Sequence, residues 1–404
     1  MTKRALEGVR IADFGWVYAS PYTAMLLSLL GADVVKVESY KRVDQTRESS
    51  APVVNGVKDI DASPVYNSIN LNKRSVTINF KTPEGVELAK QFIASCDVVV
   101  ENMRPGVMDR LGLGYEDLVK VKPDIIMLSA SGFGSGGPYG HFAGYAPIFA
   151  SFGGMGYITG YKDGQPNTGF GDMDLRAGNV AAASVLMALI NLKKTGKGMH
   201  IDLSSSECVA DLVGSELLEY SLNKRSPSRC GNEDAIMAPH QVYRCKGEDS
   251  WVSIAVATDE EWKAMRGAMG DPDWAKDPVY DDAFSRWQHR YELDRHVTEW
   301  TKGHTDYEVT RMLQAVGVAA FPSMTVEELI NDEHTVARGN MAQLDHPLIG
   351  KRTVVGVPWK FSETPAGVYH HAPLMGAANE EIFCGRLGMS KEQFDEYVEK
   401  QIIY

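Results

Sequence analysis

The 404-residue chain predicts a doubly wound parallel α/β layer joined to a smaller α+β domain. Three observations carry this expectation. The chain opens with a β-α-β unit, and such units feed parallel sheets. Short apolar strands then keep alternating with helical stretches through residue 205. Near Ala238 the texture changes, and alternating residues across a short turn point to antiparallel strands mixed with helices.

Residues 9–14 (VRIADF) put apolar side chains at alternate positions, as a strand does. A helical stretch follows over 21–30, with Pro21 in its first turn and Gly31 behind it. Residues 33–38 (DVVKVE) form the second strand. Residues 75–79 read as a strand, 82–94 as a helix opened by Thr-Pro-Glu-Gly, and 97–101 and 125–129 as buried strands. Glycine-rich loops span 131–140 and 153–171. Such glycines either permit tight turns or let backbone approach a ligand at strand ends. Residues 175–194 form a long apolar helix, expected to be buried on most sides. A strand begins at 201–203, a helix covers 207–222, and 223–233 has the Ser, Arg and Pro of a linker.

In the second domain, strands at 241–244 and 251–257 flank a turn at 246–249, and helices cover 259–269, 281–302 and 306–315. The tail holds a strand-like 352–357 and a last helix from Lys391. The division that follows is a large domain over 1–205, completed by 335–404, and a small domain over 235–325. Linkers at 206–234 and 326–334 join them.

Composition narrows the function. A formal net charge of -12 disfavours a nucleic-acid partner, because phosphate binding needs a basic surface. The 44% hydrophobic and 23% charged residues are those of an ordinary soluble protein. Five cysteines lie scattered without CxxC spacing, which signals neither zinc nor a redox pair and suits reduced thiols in a cytoplasm. No apolar run reads as a signal peptide or as a membrane span of about 20 residues.

A dinucleotide-binding enzyme needs GxGxxG after the first strand. Here the turn at 15–21 reads GWVYASP, with one glycine, so a pyrophosphate has no close approach to that backbone. The acids at 169–178 (GFGDMDLRAG) are more telling, since Asp172 and Asp174 precede the long apolar helix. Either Asp suits a helix cap, and either suits a nucleophilic carboxylate at a loop–helix junction. Residue type and spacing leave both roles open.

Short runs along the whole chain do more. They are LEGVRIADF at 6–14, LGADVVKVE at 30–38, NKRS at 72–75, KTPEG at 81–85, ENMRPG at 101–106 and RLG at 110–112. SGFG at 131–134, TGKG at 195–198 and APLMG at 372–376 complete the series. In this order and spacing the chain resembles the family III CoA-transferases, the group containing formyl-CoA transferase, carnitine CoA-transferase and α-methylacyl-CoA racemases. The resemblance implies a Rossmann-like large domain, an interlocked dimer, and coenzyme A as acyl carrier with no metal. It also implies that the acid at a fixed distance before the TGKG turn, Asp174, is the nucleophile, with Asp172 a cap or spectator.

Carried over residue by residue, the resemblance places Val17, Tyr18, Ala19, Asn72, Lys73, Arg74, Asn102, Met103, Arg104, Arg110, Phe133 and Tyr145 around CoA. Formyl-CoA transferase has an Arg directly after the second strand's acid, where this chain has Ser39. Arg47, Lys41 or Arg42 then stands in for it, and Arg47 joins the expected CoA contacts. Racemases of the family carry a His where this chain has Tyr145, and a phenol is the poorer base at neutral pH. The expectation is therefore a CoA-transferase acting on an acyl-CoA donor, such as succinyl-CoA, and a carboxylic acid acceptor through a covalent aspartyl intermediate. An aromatic acceptor such as benzylsuccinate matches Phe152, Met155, Tyr157 and Tyr161 in the second glycine-rich loop. An acyl-CoA racemase and a catalytically silent subunit paired with a homologous chain are the alternatives.

Overall fold

The computed structural model describes residues 3–54, 56–167 and 172–404. The chain forms two compact units. The larger comprises residues 1–156, 168–226 and 336–404.

Its centre is a six-stranded sheet: β1 (Arg10–Asp13), β2 (Asp33–Glu38), β3 (Arg74–Thr77), β4 (Val98–Glu101), β5 (Ile126–Ser131) and β6 (Met199–Ser204). All neighbours pair in parallel, in the order β3-β2-β1-β4-β5-β6. Alternation along each strand sends side chains to two cores, because successive residues face opposite sides of the pleat. Ala12, Val35, Val99 and Met127 meet Phe92 and Ile93 of α2 (Pro83–Ala94), together with Ile382, Phe383 and Ile403 from the C-terminal segment. Ile11, Val34, Val98 and Leu128 face the other way, onto α1 (Ala19–Leu29) and α3 (Asp172–Thr195). Thr82 starts α2 by accepting a hydrogen bond from the Gly85 N–H, with Pro83 in the first turn.

The long helix departs from the sequence expectation on two counts. It starts at Asp172 rather than residue 175, so both acids lie in its first turn. Only one side is buried, through Ala177, Gly178, Ala181, Val185 and Ala188, while Met187 and Ile190 are 63% and 55% exposed. By length and composition it passes as a membrane-crossing helix, with a mean hydropathy of 1.5. Its small residues instead pack on α1 and the sheet.

The linker expected at 206–234 is corrected. The helix expected at 207–222 is two, Ser205–Ala210 (α4) and Gly214–Asn223 (α5), and both belong to the larger unit, which runs on to Ser226. The Ser204 hydroxyl caps α4 by accepting from the Glu207 N–H, a start signal hidden behind the strand. The second linker also contains a helix, Val326–Asn331, opened by a Thr325–Glu328 capping box.

The smaller unit comprises residues 157–167 and 227–335. Its antiparallel sheet joins β7 (His240–Arg244), β8 (Trp251–Ala255) and β9 (Ala319–Pro322), with β8 in the middle. Trp262, Met265, Leu293, Val297, Val309 and Leu313 fill its core. The single helix expected at 281–302 is two, Ala283–Gln288 and Arg290–Thr301, meeting at His289. Residues 157–167 of the second glycine-rich loop join this unit because Gly231 donates to the Gly160 carbonyl at 2.8 Å and the Tyr161 ring lies against Gly231.

Candidate active site

The strand order turns around between β1 and β4, since β1 continues to β2 on one side and β4 to β5 on the other. Ligands of such sheets bind in the crevice at the carboxyl ends of these two strands. A cleft of about 670 Å³ lies there. It is lined by the turns leaving β1 (Trp16–Ala19), β2 (Ser39, Lys41, Arg42), β3 (Asn79–Lys81), β4 (Asn102–Pro105) and β5 (Ser131, Gly132). Phe142–Tyr145 and Asp174 complete it.

The β1 turn is tied down by buried charges. Asp13 accepts from the Gly15 N–H at 2.8 Å, and Lys36 donates to the Gly15 carbonyl at 2.6 Å. A Cβ on Gly15 would stand 2.7 Å from both Asp13 Oδ1 and Ser20 Cβ, so only glycine fits. Val17, a β-branched residue, takes φ 63°, a left-handed conformation that such residues rarely adopt.

Asp174 reaches the cleft because α3 crosses close to α1. A Cβ on Gly178 would lie 2.8 Å from the Tyr22 ring and 3.0 Å from the Ala19 carbonyl, so glycine sets that approach. Burial pushes the Asp174 carboxyl up to about 6. Tyr18, beside it, has its phenol raised by burial and by the Asp174 charge, and stays a hydrogen-bond donor. Asp172 is exposed and does not line the cleft. Of the two acids that spacing left open, only Asp174 lines the cleft.

Of the other expected contacts, Val17, Tyr18, Ala19, Asn102, Met103, Arg104 and Tyr145 line the cleft. Arg47 does not. It is fully buried, forks onto both Glu38 oxygens at 2.8 Å, bonds Asp61, and lies 3.5 Å over the Tyr66 ring. Lys73 is buried as well, donating to Asp13, Asn70 and the Pro21 carbonyl at 2.7–2.8 Å. Burial pulls its ammonium down to about 8. Arg74 pairs with Asp33 and Glu381. Asn72, at φ 61°, holds the C-terminal segment through Gly367, Tyr369 and His370. Arg110 lies off the cleft lining. Phe133 stands behind the lining, edge-on to Phe142 with ring centres 6.1 Å apart.

The cations on the cleft are Lys41, Arg42, Lys81 and Arg104. Arg42 stacks 4.4 Å over the Trp16 ring. Arg42, Lys81 and Arg104 have no acidic partner among the described residues. Lys81 is not among the expected CoA contacts, although it opens the KTPEG run and sits in the turn that follows β3. Among the described residues, no group of three or more His, Cys, Asp or Glu could hold a metal ion.

The fold and cleft define an α/β enzyme that binds at the switch point of its sheet. The model of CoA-transferase family III matches residues 6–379, and the chain belongs to that family. It is 33% identical over 401 residues to a succinyl-CoA–D-citramalate CoA-transferase of Chloroflexus aurantiacus, covering 99% of this chain and 98% of that one. It is likewise 33% identical to the beta subunit of a succinyl-CoA–L-malate CoA-transferase of that organism, covering 100% and 99%. A CAIB/BAIF family protein from Brucella suis superposes with a TM-score of 0.86 at 30% identity, covering 96% of this chain and 100% of that one. The protein is thus a CoA-transferase, with CoA thioesters as substrates.

Proposed function

We propose that this enzyme moves CoA from succinyl-CoA to a dicarboxylic acid bearing an aryl group, through a covalent intermediate on Asp174. The observation that carries the reading is a carboxylate set in the switch-point cleft, with unpaired cations lining the same cleft. The carboxylate attacks the donor's thioester carbonyl, the C–S bond breaks, and CoA thiolate leaves behind a mixed anhydride. The thiolate then attacks the aspartyl carbonyl, succinate departs, and Asp174 carries CoA as a thioester. The acceptor carboxylate repeats both steps in reverse and leaves as the new acyl-CoA, restoring Asp174. The phenol of Tyr18, whose titration burial and the Asp174 charge raise, is a donor placed to meet the developing oxyanion.

Arg42, Lys41, Lys81 and Arg104 supply charge for the CoA phosphates. Arg42→Ala should raise KM for the acyl-CoA about tenfold, with kcat changed far less, and the effect should shrink in high salt. Steady-state kinetics at two ionic strengths would show it, and an unchanged KM would take Arg42 out of the CoA site.

An aryl acceptor is supported by Phe142 and Tyr145 on the cleft, with Phe133, Tyr139 and Phe152 packed behind Phe142. Tyr157 and Tyr161, part of the same expectation, belong to the smaller unit. The names of the relatives favour a second reading, a hydroxy dicarboxylate such as citramalate or malate as acceptor. Thioester formation should be followed by chromatography with succinyl-CoA and, in turn, benzylsuccinate, citramalate, malate, oxalate and carnitine. Preference for benzylsuccinate upholds the aryl reading, preference for citramalate or malate replaces it, and activity with oxalate or carnitine alone rejects both. The racemase alternative loses ground because no histidine lines the cleft among the described residues.

A dimer is part of the same proposal. Met187 and Ile190 on α3 and Leu217, Leu218 and Leu222 on α5 are more than half exposed, an apolar surface suited to a second chain. A homologous partner is the alternative, supported by the relative named as a beta subunit.

A further inference from the structure

We propose that Asn102 is a positioning residue whose carboxamide clamps the Trp16 backbone, so holding Val17 left-handed and setting Tyr18 and the first turn of α1 against the Asp174 cleft. The sheet itself shows how. The last backbone bond between β1 and β4 runs from the Phe14 N–H to the Val100 carbonyl at 2.8 Å. Beyond it the chains diverge, and the Asn102 side chain takes the place of the next peptide group. Its Oδ1 accepts from the Trp16 N–H at 2.7 Å, and its Nδ2 donates to the Trp16 carbonyl at 2.8 Å. Both polar atoms of Asn102 therefore engage protein backbone.

The residue that follows explains the need for a clamp. Val17 at φ 63° places a branched Cβ in the left-handed region. Such strain persists only where the surroundings over-determine it, and it collects at functional sites. The other hold on Val17 is a long one, 3.4 Å from its N–H to Asp44 Oδ1. Without the two bonds to Trp16, the turn can relax to an unstrained φ and carry Tyr18 and Ala19 off the cleft. Sequence resemblance places Asn102 among CoA contacts, whereas the geometry points to a role through Val17.

The inference rests on the transferase reading, and the test separates the two. Steady-state succinyl-CoA kinetics and hydrogen exchange of the peptide covering residues 14–20 are measured on the full chain for wild type, N102A, V17G and the double variant. N102A should lower kcat roughly tenfold or more, with KM for the acyl-CoA within about twofold, and speed exchange at Trp16. Glycine takes φ near +60° without steric cost. In the V17G background the same N102A change should therefore cost less than about threefold, a coupling that a plain structural or CoA-contacting role does not produce. Equal losses in both backgrounds, a rise in KM alone, no loss in kcat or unchanged exchange would each overturn the clamp. Should N102A not fold, N102D, which keeps the acceptor and loses the donor, takes its place with the same readouts. A wild type inert toward every acyl-CoA would reject the transferase reading, while the exchange data would still decide the clamp.

Discussion

Asp174→Asn should abolish CoA transfer, lowering kcat by about 10,000-fold or more, as removal of a covalent nucleophile does. Mass spectrometry supplies the direct check. Wild-type enzyme incubated with succinyl-CoA and trapped with hydroxylamine or borohydride should carry a mass change on the peptide containing Asp174, and the variant should carry none. Residual activity above a few per cent would move the nucleophile elsewhere. The acid limb of the wild-type pH profile belongs to the same expectation. Burial raises the Asp174 carboxyl from its ordinary 3.8 to about 6, and the ionised form is the nucleophile, so kcat/KM should fall as pH drops through about 6.

The variant should also be more stable than wild type at neutral pH. A carboxyl whose folded pKa is raised gives the unfolded chain an advantage that grows between the two values and is constant above the higher one. The interval from 3.8 to about 6 sets an upper limit of about 3 kcal/mol at 1.36 kcal/mol per unit, and partial solvation reduces it to about 1–2. The thermal midpoint of Asp174→Asn should therefore exceed that of wild type at pH 7.5 and match it near pH 3.5. Loss of activity with a gain in stability marks a functional group. Loss of both would mark Asp174 as structural.

Arg47→Ala should be the most damaging single change to the fold, destabilising it by about 3–5 kcal/mol, because it leaves Glu38 buried without its counter-charge. Burial by itself raises the Glu38 carboxyl, and Arg47, by charge and by hydrogen bond, together with the Lys36 charge and the Ser75 hydroxyl, more than offsets this and holds it below its ordinary value. The stabilisation is therefore present above the ordinary glutamate range and fades as pH falls through the folded value. In the variant Glu38 protonates more readily, so the gap to wild type should narrow toward pH 4. Denaturant titrations at two pH values test this. A variant of normal stability with a raised KM for acyl-CoA would return Arg47 to the role that sequence resemblance implied.

These two residues show where sequence reading works and where it stops. The strands were legible because a parallel sheet buried on both faces demands unbroken apolar runs, as at Val98–Glu101. The helix expected from residue 207 starts earlier, at Ser205, because its cap, Ser204, is also the last residue of a strand. Asp172 and Asp174 could not be separated by spacing, since both suit a helix start. Two residues apart on a helix is a rotation of roughly 200°, so once α3 lies on α1, one acid faces the cleft and the other faces solvent. The cations failed differently. Lys73, Arg74 and Arg47 have the same chemistry as Arg42 and Lys81. What decides their role is whether a carboxylate stands opposite, and those carboxylates come from neighbouring strands: Asp13 and Asp33 lie 60 and 41 residues from Lys73 and Arg74, and Glu38 ends the strand that precedes Arg47.

The sequence by itself determined the alternation of elements, the family and a short list of acids, because these depend on local periodicity and on motifs in a set order. Only the tertiary structure decided which charges face the cleft, which are neutralised beneath it, and how the β1 turn is held. Those outcomes follow from parallel pairing that sets the ends of β1, β2, β3 and β4 side by side, a neighbourhood that no window of the chain contains.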